Sequence, residues 1–216
     1  RLDTKKKKFL KFKSEFKNKN TSNDIIKNIH KLLEEVGISH KIINDLFNGI
    51  ESDLKNVVNL HAKKDLLIYS YQVAGTVGLM MAKILKVKNQ QSLRCAVDLG
   101  VAMQLTNIAR DVIEDKNRNR FYIKADFDSI CETIFLADIF YQSSFSAIKN
   151  IPMSSRFAIL VARRIYKRIG YEILSQKKIE TYISAGKIYV SFLGKAVETF
   201  LSFFDFIKLF FVNSND

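Results

Sequence analysis

Hydrophobic positions in the first third of the chain recur at helical spacing. Ile25, Ile26, Ile29, Leu32, Leu33 and Val36 fall three or four residues apart between a polar Thr21–Asn23 cap and Gly37, which predicts an amphipathic helix starting near Asp24 and stopping at Gly37. Before it, Phe9, Leu10, Phe12 and Phe16 stand among lysines and predict a short amphipathic helix over residues 4–18. After it, Ser39 opens a helix that carries Ile42, Ile43 and Leu46 toward Gly49, and residues 50–59 read as a linker. Residues 65–87 are apolar nearly all round, which predicts one continuous helix at the centre of the molecule. A loop over 88–91 leads into a helical stretch at 98–115, followed by helices near 126–149, 154–174 and 179 to about 212. Period-two alternation is scarce, and Pro152 is the one proline. The pattern therefore predicts an all-α chain folded as a single domain.

The last helix, which contains TFLSFFDFIKLFFV, is apolar on all sides but interrupted by Asp205 and Lys208. It falls short of the roughly 20 apolar residues a membrane span requires. It reads as a closing core helix, with a membrane-surface anchor as the alternative.

Charge adds a constraint. The formal net charge is +13, and residues 1–20 hold nine Lys/Arg against two Asp/Glu. The run Lys5–Lys8 lacks the interleaved aromatic platform of a nucleic-acid module, so no nucleic-acid partner is expected. A solvated basic face is the first reading, and attraction to acidic lipid or diphosphate the second. Cys95 and Cys131 lie far apart without metal or redox spacing, as in a reducing, cytoplasmic setting. The first residue is Arg rather than Met, which suggests a processed protein or a fragment whose start lies upstream.

Candidate chemistry is concentrated in DLGVAMQLTNIARDVIED, residues 98–115. At about 100° per residue, Gln104, Asn107, Asp111 and Asp115 share one narrow stripe, while Val101, Leu105, Ile108 and Val112 would bury the helix. Two carboxylates and an amide oxygen, with no Cys or His among them, suit Mg²⁺ or Mn²⁺. Arg110 and Arg120 supply forked donors of the kind phosphate oxygens favour. Solvated i,i+4 ion pairs on an amphipathic helix are the competing explanation. Upstream, Ala74, Gly75 and Gly78 make a smooth surface for another helix or for a long apolar ligand.

Two stretches together, YSYQVAGTVGLMMAKI (69–84) and DLGVAMQLTNIARDVIEDKNRNRFYI (98–123), resemble the signatures of the squalene and phytoene synthases, in the same order and spacing. Weaker similarity extends to NDLFNGIESDL upstream and to RRIYKRIGYEIL and GKIYVSFLGKA downstream. The wording is nearest to bacterial phytoene synthases. The resemblance implies an isoprenoid synthase helical bundle around a central cavity, with head-to-head joining of two prenyl diphosphates. It implies Asn107, Asp111 and Asp115 as metal ligands; Asp111, Asp115 and Tyr69 as catalytic; and Gln104, Arg110, Arg120, Tyr166, Lys187 and Lys195 as diphosphate-binding. Val73, Ala74, Val77 and Gly78 would border the prenyl channel. Mg²⁺ is the implied cofactor, and NADPH is not expected if the product is phytoene. Prenyl diphosphates are the implied partners, in the cytoplasm or peripherally on the inner face of the membrane.

The chain departs from the family pattern in places. Lys187 stands where arginine is usual, Ser70 for a common cysteine, Asn119 for a common glycine and Lys124 for a proline. No first aspartate-rich motif, DxxxD, precedes Tyr69. The expectation is a partial domain over 1–216 that lacks the helices bearing that motif and is inactive by itself. A squalene or hopanoid-pathway synthase, and a non-catalytic relative that assembles or binds, are the rival readings.

Overall fold

Asn23 and Gly37 bound a helix in the way their chemistry suggests. In a computed structural model, which describes residues 2–18, 21–60 and 62–211, the Asn23 side chain accepts from the backbone N–H groups of Ile25 and Ile26, and Gly37 ends the helix at φ 69°. This is α2 (Asp24–Val36), flanked by α1 (Leu2–Lys17) and α3 (His40–Asp53). Phe16, Ile26, Leu33, Ile43 and Phe47 are buried together between the three.

Gly49 does not end α3. The helix continues to Asp53, because Gly49 is a contact residue: a Cβ there would lie 2.7 Å from Val73 Cγ1. The expected linker that follows contains β1 (Val58–Asn59), which pairs in parallel with β2 (Arg120–Phe121) and so ties the end of α3 to the loop after the acidic stripe.

The expected single helix over 65–87 is α4 (Lys63–Ser70), one π-helical turn over residues 71–75, and α5 (Thr76–Ile84). Nor is it enclosed on all sides, since Ile68, Val77, Met81 and Ile84 are exposed. Apolarity all round does not say which neighbours are present to cover a face.

The central element is α6 (Gln90–Arg110), which starts earlier than expected under an Asn89 cap and packs against α4, α5, α8 (Phe127–Phe145) and α9 (Met153–Leu174). It stops at Arg110. Asp111 sits at φ −105°, ψ 13°, and α7 (Val112–Asn117) carries the stripe onward. The interruption has a cause in Tyr182, whose hydroxyl lies 2.9 and 2.7 Å from the Ala109 and Arg110 carbonyl oxygens and occupies acceptors that the next turn would use. The i→i−4 bonds Asp111 N–H to Asn107 and Asp115 N–H to Asp111 survive, at 2.9 and 2.8 Å. Asn107, Asp111 and Asp115 therefore remain on successive turns.

Downstream, α8 ends at Phe145 and a 3₁₀ segment covers 146–150. The expected long last helix is two, α10 (Ile179–Ala185) and α11 (Phe192–Lys208), separated at Gly186 (φ 65°, ψ −143°). Its expected end at Val212 lies outside the described residues. α11 is not a core helix: Phe200, Phe203 and Phe204 are exposed, and Glu198 and Ser202 are buried. Among the described residues, no helix is long and apolar enough to cross a membrane.

Candidate functional site

Asp111 stands where α6 gives way to α7, and two cations hold it. Arg110 donates from Nε to Oδ1 (2.9 Å) and from Nη2 to Oδ2 (2.7 Å), and Lys187 Nζ lies 3.3 Å from Oδ1. Burial works to raise its pKa, but these cations hold it below the usual carboxylate value. Lys187 also donates to Glu114 (2.8 Å), so the lysine that stands for a family arginine still faces the acidic stripe. Asp115 differs. Half-buried and next to the Asp111 charge, it is pushed up to about 6.

On the other side of the stripe an apolar cavity of about 330 Å³ opens, lined by Val73, Ala74, Val77 and Gly78 and, on α6, by Gln104 and Asn107. The four expected channel residues and two of the expected polar ones thus share one wall. The Asn107 side-chain oxygen is buried without a hydrogen-bond partner, as is Ser70 Oγ. A buried amide oxygen left unpaired costs about 1–3 kcal/mol, so it marks a place where another donor or a cation would be favourable.

A second acidic centre lies beside Asp115, and it was missed in the sequence. Asp53, at the end of α3, accepts from Tyr122 Oη (2.7 Å) and Tyr69 Oη (2.9 Å), and the two hydroxyl oxygens are 3.0 Å apart. The two rings stack with centroids 4.7 Å apart. Burial raises the Asp53 pKa, and the two hydroxyls and the Arg120 charge offset only part of that. The Tyr69 and Tyr122 hydroxyls are also pushed up, burial being the largest cause for each, so both keep their protons at neutral pH. The Asp53 charge reaches Asp115 and adds to its upward shift. The available signal was the NDLFNGIESDL segment, where Asp53 had no role attached.

The other expected residues divide. Tyr166, on α9, packs against the core around Tyr69 and Tyr141. Arg120 donates to the backbone carbonyls of Asp53 (2.6 Å), Arg118 and Asn119. These bonds tie the β1–β2 junction to the end of α3, and Arg120 does not line the apolar cavity. Lys195 is exposed on α11, and among the described residues no hydrogen bond or ion pair joins its side chain to the acidic stripe. Asn119 adopts φ 58°, the left-handed conformation that its replacement of a glycine requires.

The donors fit a hard cation. Asn107, Asp111 and Asp115 offer oxygen only, and the Asn107 oxygen has no competing partner. Among the described residues, no three His, Cys, Asp or Glu side chains converge on one point. A cation held here would therefore complete its shell with water or phosphate oxygens.

The raised Asp115 pKa has a consequence for stability without metal. Its folded value of about 6 exceeds the ordinary 3.8, so the folded state binds the proton more tightly. The stability this contributes is complete below about pH 4 and is lost as pH rises through 6. Asp115→Asn should therefore be more stable than wild type at about pH 7.5 in chelator, by about 1 kcal/mol once screening of this half-exposed group is allowed for. The two should melt together near pH 4. Thermal unfolding at both pH values checks this, and no gain at pH 7.5 would refute it.

Comparison with known proteins places this geometry in context. Residues 3–128 match the squalene/phytoene synthase family model. Over 166 residues the chain is 31% identical to 15-cis-phytoene synthase of Enterobacter agglomerans, covering 65% of this chain and 56% of that protein. It is 35% identical over 147 residues to the same-named protein of a Paracoccus species, covering 60% and 48%. The chain spans about half the length of these curated relatives. Among solved structures, a dehydrosqualene synthase in complex with ligand matches with TM-score 0.69 at 24% identity, covering 96% of this chain and 78% of that one. Squalene synthase HpnC from Alicyclobacillus acidocaldarius matches with TM-score 0.66 at 16% identity, covering 78% and 73%. These two likenesses concern the fold.

Proposed function

Since the chain belongs to the squalene/phytoene synthase family, we propose that Asn107, Asp111 and Asp115 form one wall of a Mg²⁺-dependent site joining two C20 prenyl diphosphates head to head, as a phytoene synthase. One observation carries the reading. The unpartnered Asn107 oxygen lies where the apolar cavity meets the acidic stripe, so a group with a charged head and a long hydrocarbon tail suits both sides of it. The names of the curated relatives favour phytoene over squalene.

Asn107, Asp111 and Asp115 would hold Mg²⁺, or Mn²⁺, which when bound would neutralise the charge developing on departing diphosphate. The chain's own residues do the rest. Arg110 and Lys187 keep Asp111 ionised and aimed. The cavity wall formed by Val73, Ala74, Val77 and Gly78 keeps water from an allylic cation until a second double bond meets it. Asp53 accepts from the Tyr69 and Tyr122 hydroxyls and fixes them, and a phenol kept protonated by burial can turn its proton to a phosphate oxygen.

The test is product analysis with the full-length enzyme, Mg²⁺, and C15 or C20 diphosphate, with and without NADPH. Phytoene from the C20 substrate without reductant is expected. Squalene or dehydrosqualene from the C15 substrate would reassign the reaction within the family, and no product under any condition would favour a non-catalytic relative.

A further inference from the structure

The apolar cavity runs along α6. Its lining residues on that helix recur at three- and four-residue spacing from Ser92 through Cys95, Leu99 and Met103 to Asn107, a distance of about 22 Å at about 1.5 Å per residue. The two ends differ in polarity. At the Asn107 end a buried side-chain oxygen has no hydrogen-bond partner. At the Ser92 end the polar groups are satisfied within the protein. Asn150 Nδ2 donates to Ser92 Oγ (2.7 Å), Ser92 Oγ donates to Asn89 Oδ1 (3.3 Å), and Ser144 Oγ donates to the Tyr141 carbonyl (3.0 Å). An amphiphile in the cavity is therefore favoured with its charged head at Asn107 and its tail toward Ser92.

That tail meets a closed end. Val87 is 7% exposed and Ser92 5%, and Ala82, Val87 and Leu93 form a buried cluster with Ala96 and Ile151 packed on it. The cavity is open instead along α5, where Val77 and Met81 are exposed. α6 then serves as a ruler. An extended isoprene unit advances four chain bonds, about 5 Å. Three units measured from Asn107 end between Leu99 and Ala96, and a fourth reaches Cys95 and Ser92. Cys95 is 3% exposed and lines this last space with a single atom beyond Cβ. A thiol is tolerable there. Burial, with the Asp98 charge second, pushes its pKa up, so it stays neutral. It also lies about 18 Å along the helix from Asn107, out of reach of a cation formed at the head.

We propose that Cys95, above a floor of Val87, Ser92 and Ile151, sets the longest prenyl chain the cavity accepts, leaving room for a fourth isoprene unit and none for a fifth. This role rests on the prenyl diphosphate reading, since the head group is taken to lie at Asn107. The test is titration calorimetry of the full-length enzyme in Mg²⁺ with non-hydrolysable C10, C15, C20 and C25 thiolodiphosphates, with product analysis on the same preparations. Wild-type affinity should rise with each unit to C20 and fall at C25. Cys95→Leu fills the last space, so C20 affinity should fall at least about tenfold, to the level of C15 or below, with C10 and C15 unchanged. Ile151→Ala lowers the floor and should raise C25 affinity about tenfold without changing C15. The second variant decides the matter if Cys95→Leu fails to fold. An unchanged ratio of C15 to C20 affinity in folded Cys95→Leu, equal losses for every chain length, wild-type C25 binding as tight as C20, or no gain of C25 with Ile151→Ala would each overturn the assignment. The underlying reading fails separately. Wild-type enzyme that turns over C15 rather than C20, or neither, would refute phytoene synthesis, yet the floor stands if the binding ratio still follows Cys95. Failure of all four analogues to bind overturns both.

Discussion

Asp111→Asn in the full-length enzyme should reduce turnover by at least about 10²–10³-fold, the scale on which a single charge-stabilising group in an enclosed site acts. Two of its effects can be separated. Asparagine keeps the size of the side chain and can still accept one hydrogen bond, so the loss of the mostly buried Arg110 pair and the Lys187 pair should cost stability by about 1–3 kcal/mol. A structural explanation would give a small kinetic loss that tracks melting temperature. The proposed role gives a large loss with a rightward shift in the Mg²⁺ concentration needed for activity. Asp115→Asn makes the distinction sharper. It should lose activity on the same scale and yet be the more stable protein at neutral pH, because it removes a half-buried carboxylate whose ionisation the fold resists. Near-normal rates in either variant would remove the assignment of these residues as ligands.

How much of this was legible depends on how far apart the cooperating residues lie in sequence. The α2 boundaries follow from Asn23 and Gly37 because caps act within one turn. The Gln104–Asp115 stripe follows for a related reason: the i→i−4 bonds through Asn107, Asp111 and Asp115 persist across the break at Arg110. The break itself was not legible, since its cause, Tyr182, lies more than 70 residues away. Gly49 was misread as a stop because a glycine that ends a helix and one that admits a neighbour look the same in sequence. Only Val73 across the contact distinguishes them. Asp53 joined no stripe, because Tyr69 and Tyr122 reach it by the parallel pairing of Val58 with Arg120. For α11 the periodicity was visible, but period does not say which face is buried. Glu198 and Asp205 turn inward because Arg164 is there to meet them.

Gly100→Ala should lower the melting temperature by about 5–10 °C, although alanine is the better helix former by about 1 kcal/mol. The reason is a reciprocal contact. A Cβ on Gly100 would overlap the Ala74 carbonyl oxygen, and one on Gly78 would overlap that of Ala96. Main-chain oxygens cannot rotate aside as side chains do, so relief requires α5 and the adjoining π turn to move away from α6, at a cost of about 1–3 kcal/mol or more beyond the propensity gain. Because one separation relieves both overlaps, Gly78→Ala with Gly100→Ala should cost clearly less than the sum of the single changes. Additive losses would instead mean two independent local clashes and a rigid seam. The same movement would alter the cavity, whose wall includes Ala74, Gly78, Ala96 and Gly100. A less than additive stability loss should therefore come with a changed preference between C15 and C20 diphosphate in the full-length enzyme, since the glycines that let the two helices touch also set the width available to the hydrocarbon chain.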